Sequence, residues 1–306
     1  MAGAVRLDAE LVRRGLARSR QRAADLIAAG RVEVAGLVAA KPSQPVAPDA
    51  DIDVRGDDRT EYVSRAAHKL VGALDAVEVL APGSVPVAGM RCLDAGASAG
   101  GFTQVLLERG AAHVVAVDVG HGQMAEDVAR DHRVTSLEGV NVRGLTTAET
   151  GGPVDLVVAD LSFISLTVAL PALLGVAASG ADLLLMVKPQ FEVGRERLGS
   201  SGVVSSPELR EEAVNQVAEA AGRLGAVVRG VLPSPLPGPS GNHEYFVWLR
   251  PGIADAASTD PAEPEALRTA VRVAVRDDRP ALVGPALVGE APRSQTAGSP
   301  NEGRRR

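Results

Sequence analysis

The sequence predicts an α/β protein in which a doubly wound parallel sheet follows a small α+β unit. Three observations carry this. Short apolar runs ending at Gly, Asp or Lys alternate with helical windows between residues 91 and 248, the pattern of parallel strands joined by crossover helices. A glycine-rich turn, Gly96 to Gly101, joins the first run to a helix start. Residues 1–45 carry an excess of basic over acidic side chains that the remainder lacks. A chain of 306 residues allows about two domains at roughly 150 residues each. With 45% hydrophobic residues but only four Phe, two Tyr and one Trp, its core is built from Leu, Val, Ile and Ala. Wide aromatic platforms for single-stranded nucleic acid are thereby excluded.

In the first unit, residues 1–58, Asp8 to Arg14 reads as a short helix closed by Gly15. Ser19 caps a second helix whose Ala23, Leu26 and Ile27 face inward until Gly30 stops it. Val32 to Val38 reads as a hairpin around Ala35-Gly36, and Ile52 to Val54 as a strand after the loop of Pro42, Pro45 and Pro48. Residues 59–64 are taken as a linker to a second domain, 65–250. Ser64 opens a helix with Ala67, Leu70, Val71 and Leu74 on one face. Strands follow at Arg91 to Asp94, Val114 to Asp118, Val154 to Asp160, Leu183 to Val187 and Tyr245 to Trp248, with helices at Phe102 to Arg109 and Glu208 to Leu224. From Pro251 the composition turns to Ala, Pro, Arg and Asp, with seven of the twenty prolines and no aromatic. Residues 251–306 are therefore expected to be mostly disordered, with one helix near Glu265 to Arg276.

Charge and cysteine usage narrow the class. The single cysteine, Cys92, excludes an internal disulfide framework and a zinc site built on several thiolates, which fits a reducing compartment. Residues 1–15 carry five charged side chains and no apolar stretch, unlike a secretory signal. The apolar window Leu166 to Val187 is interrupted by Pro171, Gly175, Gly180 and Asp182 and reads as a buried helix, a turn and a strand, not a membrane span. A cytoplasmic protein is expected. The five histidines show no ligand spacing, so no metal is expected either. The net charge of −6 hides an asymmetry, because residues 1–45 are net +4. Arg13, Arg14, Arg18, Arg20 and Arg22 cluster at one helix-turn-helix corner, with Arg6 and Lys41 nearby in sequence. Such a corner is either a solvated helix face or a surface that meets several phosphates at once.

The strand-turn-helix segment Asp94-Ala95-Gly96-Ala97-Ser98-Ala99-Gly100-Gly101-Phe102 lets a ligand approach bare backbone, with a helix N-terminus offering unpaired N–H groups. A nicotinamide dinucleotide site would need glycine where Ser98 stands, so that reading fails. Asp118 ends the next strand, 24 residues after Asp94, where a carboxylate can accept from both hydroxyls of an adenosine ribose. Two strand-end acids around one glycine turn suit S-adenosylmethionine. Lysine usage adds a clue: of 32 basic residues only Lys41, Lys69 and Lys188 are lysine. Arginine replaces lysine where charge suffices, but a proton acceptor has to be an amine, since guanidinium does not lose its proton. Lys188 and Asp160 end adjacent-reading strands, Lys69 lies on the helix before the first strand, and Glu244 begins the last. Ordinary alternatives stand beside this: Lys69 as a surface residue, Glu244 as an edge-strand charge, Asp160 with Lys188 as a structural ion pair, Asp118 as a cap.

Two resemblances add to these residues. The spacing Arg6-Leu7-Asp8, Leu11, Arg14-Gly15-Leu16, Ser19-Arg20, Leu26-Ile27, Gly30 and Lys41-Pro42 resembles the small RNA-binding domain of S-four type, shared by a small-subunit ribosomal protein and many pseudouridine synthases. Lys69, Asp160, Lys188 and Glu244, in that order around Gly96 to Gly101, resemble the Lys-Asp-Lys-Glu set of FtsJ-like ribose 2′-O-methyltransferases. With Ser64-Arg65-Ala66-Ala67-His68-Lys69-Leu70, Lys188-Pro189-Gln190-Phe191-Glu192 and Pro237-Gly238-Pro239-Ser240-Gly241-Asn242, residues 5 to 250 resemble the TlyA (haemolysin A) family of ribosomal RNA 2′-O-methyltransferases.

The resemblance implies a Rossmann-like, seven-stranded S-adenosylmethionine-dependent methyltransferase domain. It implies methyl transfer to a cytidine ribose 2′-hydroxyl in 16S or 23S rRNA, or both. Lys188 would act as base or hold the oxyanion, with Lys69 and Glu244 orienting the ribose. Asp94, Gly96, Ser98, Gly100, Gly101, Phe102, Asp118, Asp160 and Phe163 would hold the cofactor. Arg6, Arg13, Arg14, Arg18, Arg20, Arg22 and Lys41 would meet RNA. The expected partner is ribosomal RNA or a ribosomal subunit, not DNA and not a membrane. Two other classes compete: a catalytically silent ribosome-binding protein, and the membrane-acting protein that the haemolysin label suggests.

Overall fold

A computed structural model of the chain describes residues 5–14, 16–17, 20–28, 30–47, 50–54, 62–199, 201–252 and 263–284. The chain divides into two units, Met1–Glu61 and Tyr62–Arg306. The expected stop at Gly15, cap at Ser19, RNA contact at Arg18 and linker positions 59–61 lie outside the described residues. So do the side chain of Arg22 and most of the expected disordered tail.

In the first unit β1 (Val5–Arg6) runs into α1 (Leu7–Arg13), followed by α2 (Arg20–Ala28), β2 (Val32–Val34), β3 (Leu37–Val38), β4 (Pro45–Val46) and β5 (Ile52–Val54). The strands form an antiparallel sheet in the order β3-β2-β5 and a separate β1-β4 pair. Ala35 and Gly36 both take positive φ, 52° and 76°, which gives the tight hairpin a turn whose twist matches its strands. Leu7, Leu11, Ala23, Leu26, Ile27 and Val32 are buried together as its core.

The second unit begins with α3 (Ala66–Leu80), β6 (Arg91–Ala95), α4 (Gly101–Glu108), β7 (His113–Asp118), α5 (Glu126–Ala129), β8 (Val134–Glu138) and β9 (Val154–Ala159). It continues with α6 (Leu166–Val176), β10 (Ala177–Val187), α7 (Pro189–Glu192), α8 (Pro207–Arg223), β11 (Ala226–Pro233), β12 (Tyr245–Pro251), α9 (Glu263–Arg276) and β13 (Ala281–Leu282). Tyr62 sets its ring edge-on to His68 at 5.2 Å and Val63 N donates to Gln104, so positions 62–64 of the expected linker fold with this unit.

One sheet of order β13-β11-β12-β10-β9-β6-β7-β8 organises the unit. The run from β8 to β10 is parallel, whereas β12 pairs antiparallel with both β10 and β11. The runs expected as parallel strands, β6, β7, β9 and β10, are parallel, and the sheet as a whole is mixed, with eight strands among the described residues where the resemblance implied seven. A loop, residues 234–244, returns the chain between β11 and β12, and without a crossover helix the strand re-enters in the opposite sense.

The helix expected near Glu265 to Arg276 is present as α9, which buries Ala270, Val271, Ala274 and Val275 at i, i+1, i+4, i+5 spacing, and β13, which the sequence reading did not expect, pairs with β11. Alternation along β10 sends Leu183, Leu185 and Val187 to the face covered by α6, α8 and α9. Leu184 and Met186 face α3 and α4 instead, so both faces of the sheet are buried. Leu166 to Val187 is indeed a helix followed by a strand, and no described helix is long and apolar enough to cross a membrane.

Candidate active site

The strand order reverses at β6, which lies between β7 and β9. In a doubly wound sheet the crevice at that switch point, outside the carboxyl ends of the strands, is where ligands bind. Gly96, Asp118 and Asp160 stand at those ends, and all three line a cavity of about 490 Å³ together with Ser98, Val119, Asn141, Arg143, Ser162 and Phe163. A second cavity of about 230 Å³ is lined by Arg65, Lys69, Gly101, Phe102 and Lys188. The two share Gly96, Ser98, Asp160 and Ser162 as a common wall.

The glycine turn does two different jobs. A Cβ on Gly96, at φ +84°, would stand 2.7 Å from the Asp160 carbonyl oxygen, so only glycine lets the β6 and β9 ends approach. Ser98 holds φ +46°, the left-handed conformation that costs a non-glycine residue energy. Its N–H donates to Asp118 Oδ2, and its hydroxyl contacts Gln123. Asp118 also accepts from Gly120 N, so the capping role and a place on the cavity wall coexist. Gly100 does not line either cavity; it starts α4 at φ +89° and packs against Val128 and Met124. Phe102 lines the smaller cavity and stacks on Phe246 with centroids 6.2 Å apart.

Asp94 departs from its expected cofactor contact. It is fully buried beneath the turn, with Oδ2 accepting from Thr103 Oγ1 at 2.7 Å and Oδ1 lacking a donor. Burial, with smaller contributions from Asp160 and Asp118, pushes its carboxyl up to about 7. It holds the turn to α4 and lies outside the lining of both cavities.

The four polar positions gather as two pairs. Lys69 on α3 donates to Glu244 Oε2 at 2.5 Å across 175 residues of sequence, both side chains being buried. Lys69 lines the smaller cavity, and Glu244, outside that lining, lies behind Lys69 and holds it. Lys69 as a surface residue and Glu244 as an edge charge are both ruled out. The Lys188 ammonium lies 2.6 Å from Asp160 Oδ1 at an angle that makes no hydrogen bond, so Oδ1 remains a buried acceptor without a donor. Lys188 donates instead to Ser162 Oγ at 2.9 Å.

Sequence reasoning passed over Ser162, although it stands between Asp160 and Phe163 in a segment already singled out. It also missed Glu192, which accepts from Ser165 Oγ and Leu166 N and so ties the segment after β10 to the start of α6. Phe163 is 92% exposed at φ +63°, with its ring 5.3 Å from Phe191.

In the first unit four arginines are paired. Asp8 accepts from Arg6 and Arg20, and Glu10 from Arg13 and Arg14, the two acids being buried. The arginines hold Asp8 well below the usual carboxylate range and Glu10 down to about 2. Arg6, Arg13 and Arg20 keep 51%, 62% and 60% of their side chains exposed, and Lys41 is exposed.

A model of the FtsJ-like methyltransferases matches residues 62–251. The chain belongs to the FtsJ-like methyltransferase family. A model of the S4 domain matches residues 5–52, in front of the FtsJ-like domain. Among curated relatives, the 16S/23S rRNA (cytidine-2′-O)-methyltransferase TlyA of Mycobacterium tuberculosis is 59% identical over 250 residues, covering 82% of this chain and 91% of its own. Hemolysin A of Brachyspira hyodysenteriae is 34% identical, covering 79% and 98%. A solved structure bearing a hemolysin name, from Streptococcus thermophilus, superposes with a TM-score of 0.66 at 34% identity, covering 91% of this chain and 98% of that one. The motif resemblance to FtsJ-like and TlyA proteins is therefore confirmed.

Proposed function

We propose that this FtsJ-like enzyme methylates the 2′-hydroxyl of a cytidine ribose in ribosomal RNA, drawing the methyl group from S-adenosylmethionine. The observation that carries the reading is the pair of cavities at the switch point, joined through Asp160 and Ser162, with Lys69 and Lys188 on the smaller one. The larger is within the range of small-molecule sites, roughly 300–1,000 Å³. Its lining suits this cofactor: Asp118 is a strand-end carboxylate complementary to a ribose diol, and Asp160, whose Oδ1 pairs with the Lys188 ammonium, places a second carboxylate on the same wall.

When bound, S-adenosylmethionine supplies a methyl group already activated on a sulfonium. What remains for the chain is alignment and the removal of one proton. Lys188 takes the proton from the 2′-oxygen or holds the charge that develops there, while Asp160 keeps the amine in place. Lys69, fixed by Glu244, bounds the ribose on the other side. The half-exposed arginines of the S4 domain supply sequence-independent affinity for the RNA backbone. The M. tuberculosis relative, whose name specifies cytidine in 16S and 23S rRNA, supports the choice of substrate.

The test is incubation of purified protein with ribosomal subunits and isotopically labelled S-adenosylmethionine, followed by mapping of ribose methylation. Label at a cytidine 2′-oxygen is the expected result. Label on a base, or none with every subunit and naked rRNA tried, would overturn the proposal.

A further inference from the structure

We propose that the Ser162 hydroxyl is the group that aims the Lys188 amine into the smaller cavity, so that it governs the rate of methyl transfer and not the binding of either substrate. The inference rests on the reading of Lys188 as the group that receives the ribose proton.

A lysine amine on a four-carbon stem has no fixed direction of its own, its three hydrogen-bonding positions rotating freely about the terminal bond. Three groups surround it. Asp160 Oδ1, at 2.6 Å, meets it at an angle outside hydrogen-bond geometry, so it attracts the charge without setting an orientation. The Phe191 ring, 6.0 Å away, is at the far limit of a cation–π contact. Ser162 Oγ, at 2.9 Å, is the hydrogen-bond acceptor of Lys188 among the described residues. With Cε and Oγ fixing two of the four directions about Nζ, the remaining two are confined, and Lys188 lines the smaller cavity.

Ser162 is well placed for this. It follows Asp160, whose N–H donates to Ala95 O at 3.0 Å, and Leu161, which is buried. Downstream, Ser165 and Glu192 clamp the start of α6. The hydroxyl is thus carried on a segment held at both ends, and it lines both cavities. In the step itself the ribose O–H bond breaks and its proton passes to the Nζ lone pair, while the oxygen forms its bond to the methyl carbon and the sulfur keeps the electron pair of the broken S–C bond. That transfer needs the lone pair on the line of the O–H bond, and an error of about 1 Å in such alignment costs on the order of 100-fold in rate.

Ser162→Ala and Ser162→Thr enzymes, assayed with saturating S-adenosylmethionine and ribosomal subunits, test this. The alanine variant is expected to lose about 10- to 100-fold in kcat, with KM for both substrates and the calorimetric Kd for S-adenosylmethionine within a few-fold. The threonine variant, which keeps the hydroxyl, is expected to recover most of the loss. Ser162 is exposed, so thermal melting should not change. An alanine variant with undiminished kcat overturns the proposal, as does a loss confined to cofactor Kd, or a threonine variant no better than alanine. Lys188→Ala measured alongside separates the two claims: if it stays active, the proton-acceptor reading itself fails, whereas an inactive Lys188→Ala beside a fully active Ser162→Ala sinks only the role of Ser162.

Discussion

Each unit of the molecule holds a cluster of cations and carboxylates, and the two are built in opposite ways. In the S4 domain the acids are inside and the cations outside: Asp8 and Glu10 are 4% and 1% exposed, while Arg6, Arg13 and Arg20 reach into solvent. In the FtsJ-like domain both partners of each pair are withdrawn, and the cations are lysines facing a cavity. The difference follows from what each cation is for. An arginine remains charged, and after a carboxylate has taken part of its planar fork, further N–H donors remain for a phosphate. A lysine can exchange a proton, and a water-poor cavity strengthens every electrostatic contact it makes.

The comparison breaks most sharply at Lys188. Replacement by alanine should cut methyl transfer by about 100- to 10,000-fold, the usual scale of general acid–base contributions, with calorimetric binding of S-adenosylmethionine retained. Lys188→Arg should be nearly as impaired. An arginine enzyme of near-normal turnover would mean that charge alone is required and that the two clusters are alike.

The Lys69–Glu244 pair should show its burial in stability. Glu244→Ala leaves an ammonium uncompensated inside the protein and is expected to cost about 3–5 kcal/mol in denaturant unfolding. Asp75→Ala, which breaks the exposed pair with Arg109, should cost no more than about 1 kcal/mol. Equal costs would contradict the burial of the first pair.

The arginine corner gives a test of sign. Asp8→Asn makes the chain more positive, so a corner acting by charge alone should bind rRNA more tightly. A corner whose guanidiniums are held ready by a buried acid should bind several-fold more weakly. Arg20→Ala, by comparison, should weaken binding for every sequence and lower the slope of log affinity against log salt by about one. Filter binding across a salt series reads both.

The smallest effects concern pH, and the two units should respond in opposite directions. Glu10, held down to about 2 from 4.5, contributes stability that is present above pH 4.5 and is lost as pH falls towards 2. Asp94, raised to about 7 from 3.8, keeps a proton that the unfolded chain has released, so its contribution declines as pH rises between those values. Asp94→Asn should therefore gain in melting temperature relative to the parent on going from pH 5 to pH 8. A difference independent of pH would show that Asp94 ionises normally in the folded protein.

Much of the site was legible because it is written locally. Lys188 after an apolar run, Asp160 and Asp118 at strand ends, and a glycine turn before a helix are all features of a few neighbouring residues. The hairpin at Ala35-Gly36 and the helix near Glu265 to Arg276 were legible for the same reason. Position 98 was informative in a second way: serine there argued against a dinucleotide, and the structure shows it holding the left-handed conformation that glycine would otherwise supply.

What could not be read depends on distances between segments far apart in the chain. The direction of β12 could not be read, because strand direction is set by which neighbour the strand joins, and its own apolar pattern is the same either way. Asp94 looked like a ligand contact because a strand-end acid before a glycine turn carries no mark of its depth; Thr103 and the layers on either side decide that it is buried.

By itself the sequence determined the two units, the alternation of strand and helix, the crevice at the strand ends and the types of side chain brought there, since hydrophobic period, turn residues and residue chemistry are local properties. Only the tertiary structure decided that Glu244 serves Lys69 from behind, that Ser162 rather than Asp160 takes the Lys188 hydrogen bond, and that Asp8 and Glu10 lie buried under the arginines. The reason is physical: burial and pairing arise when surfaces close on one another, and sequence spacing does not record which surfaces those are.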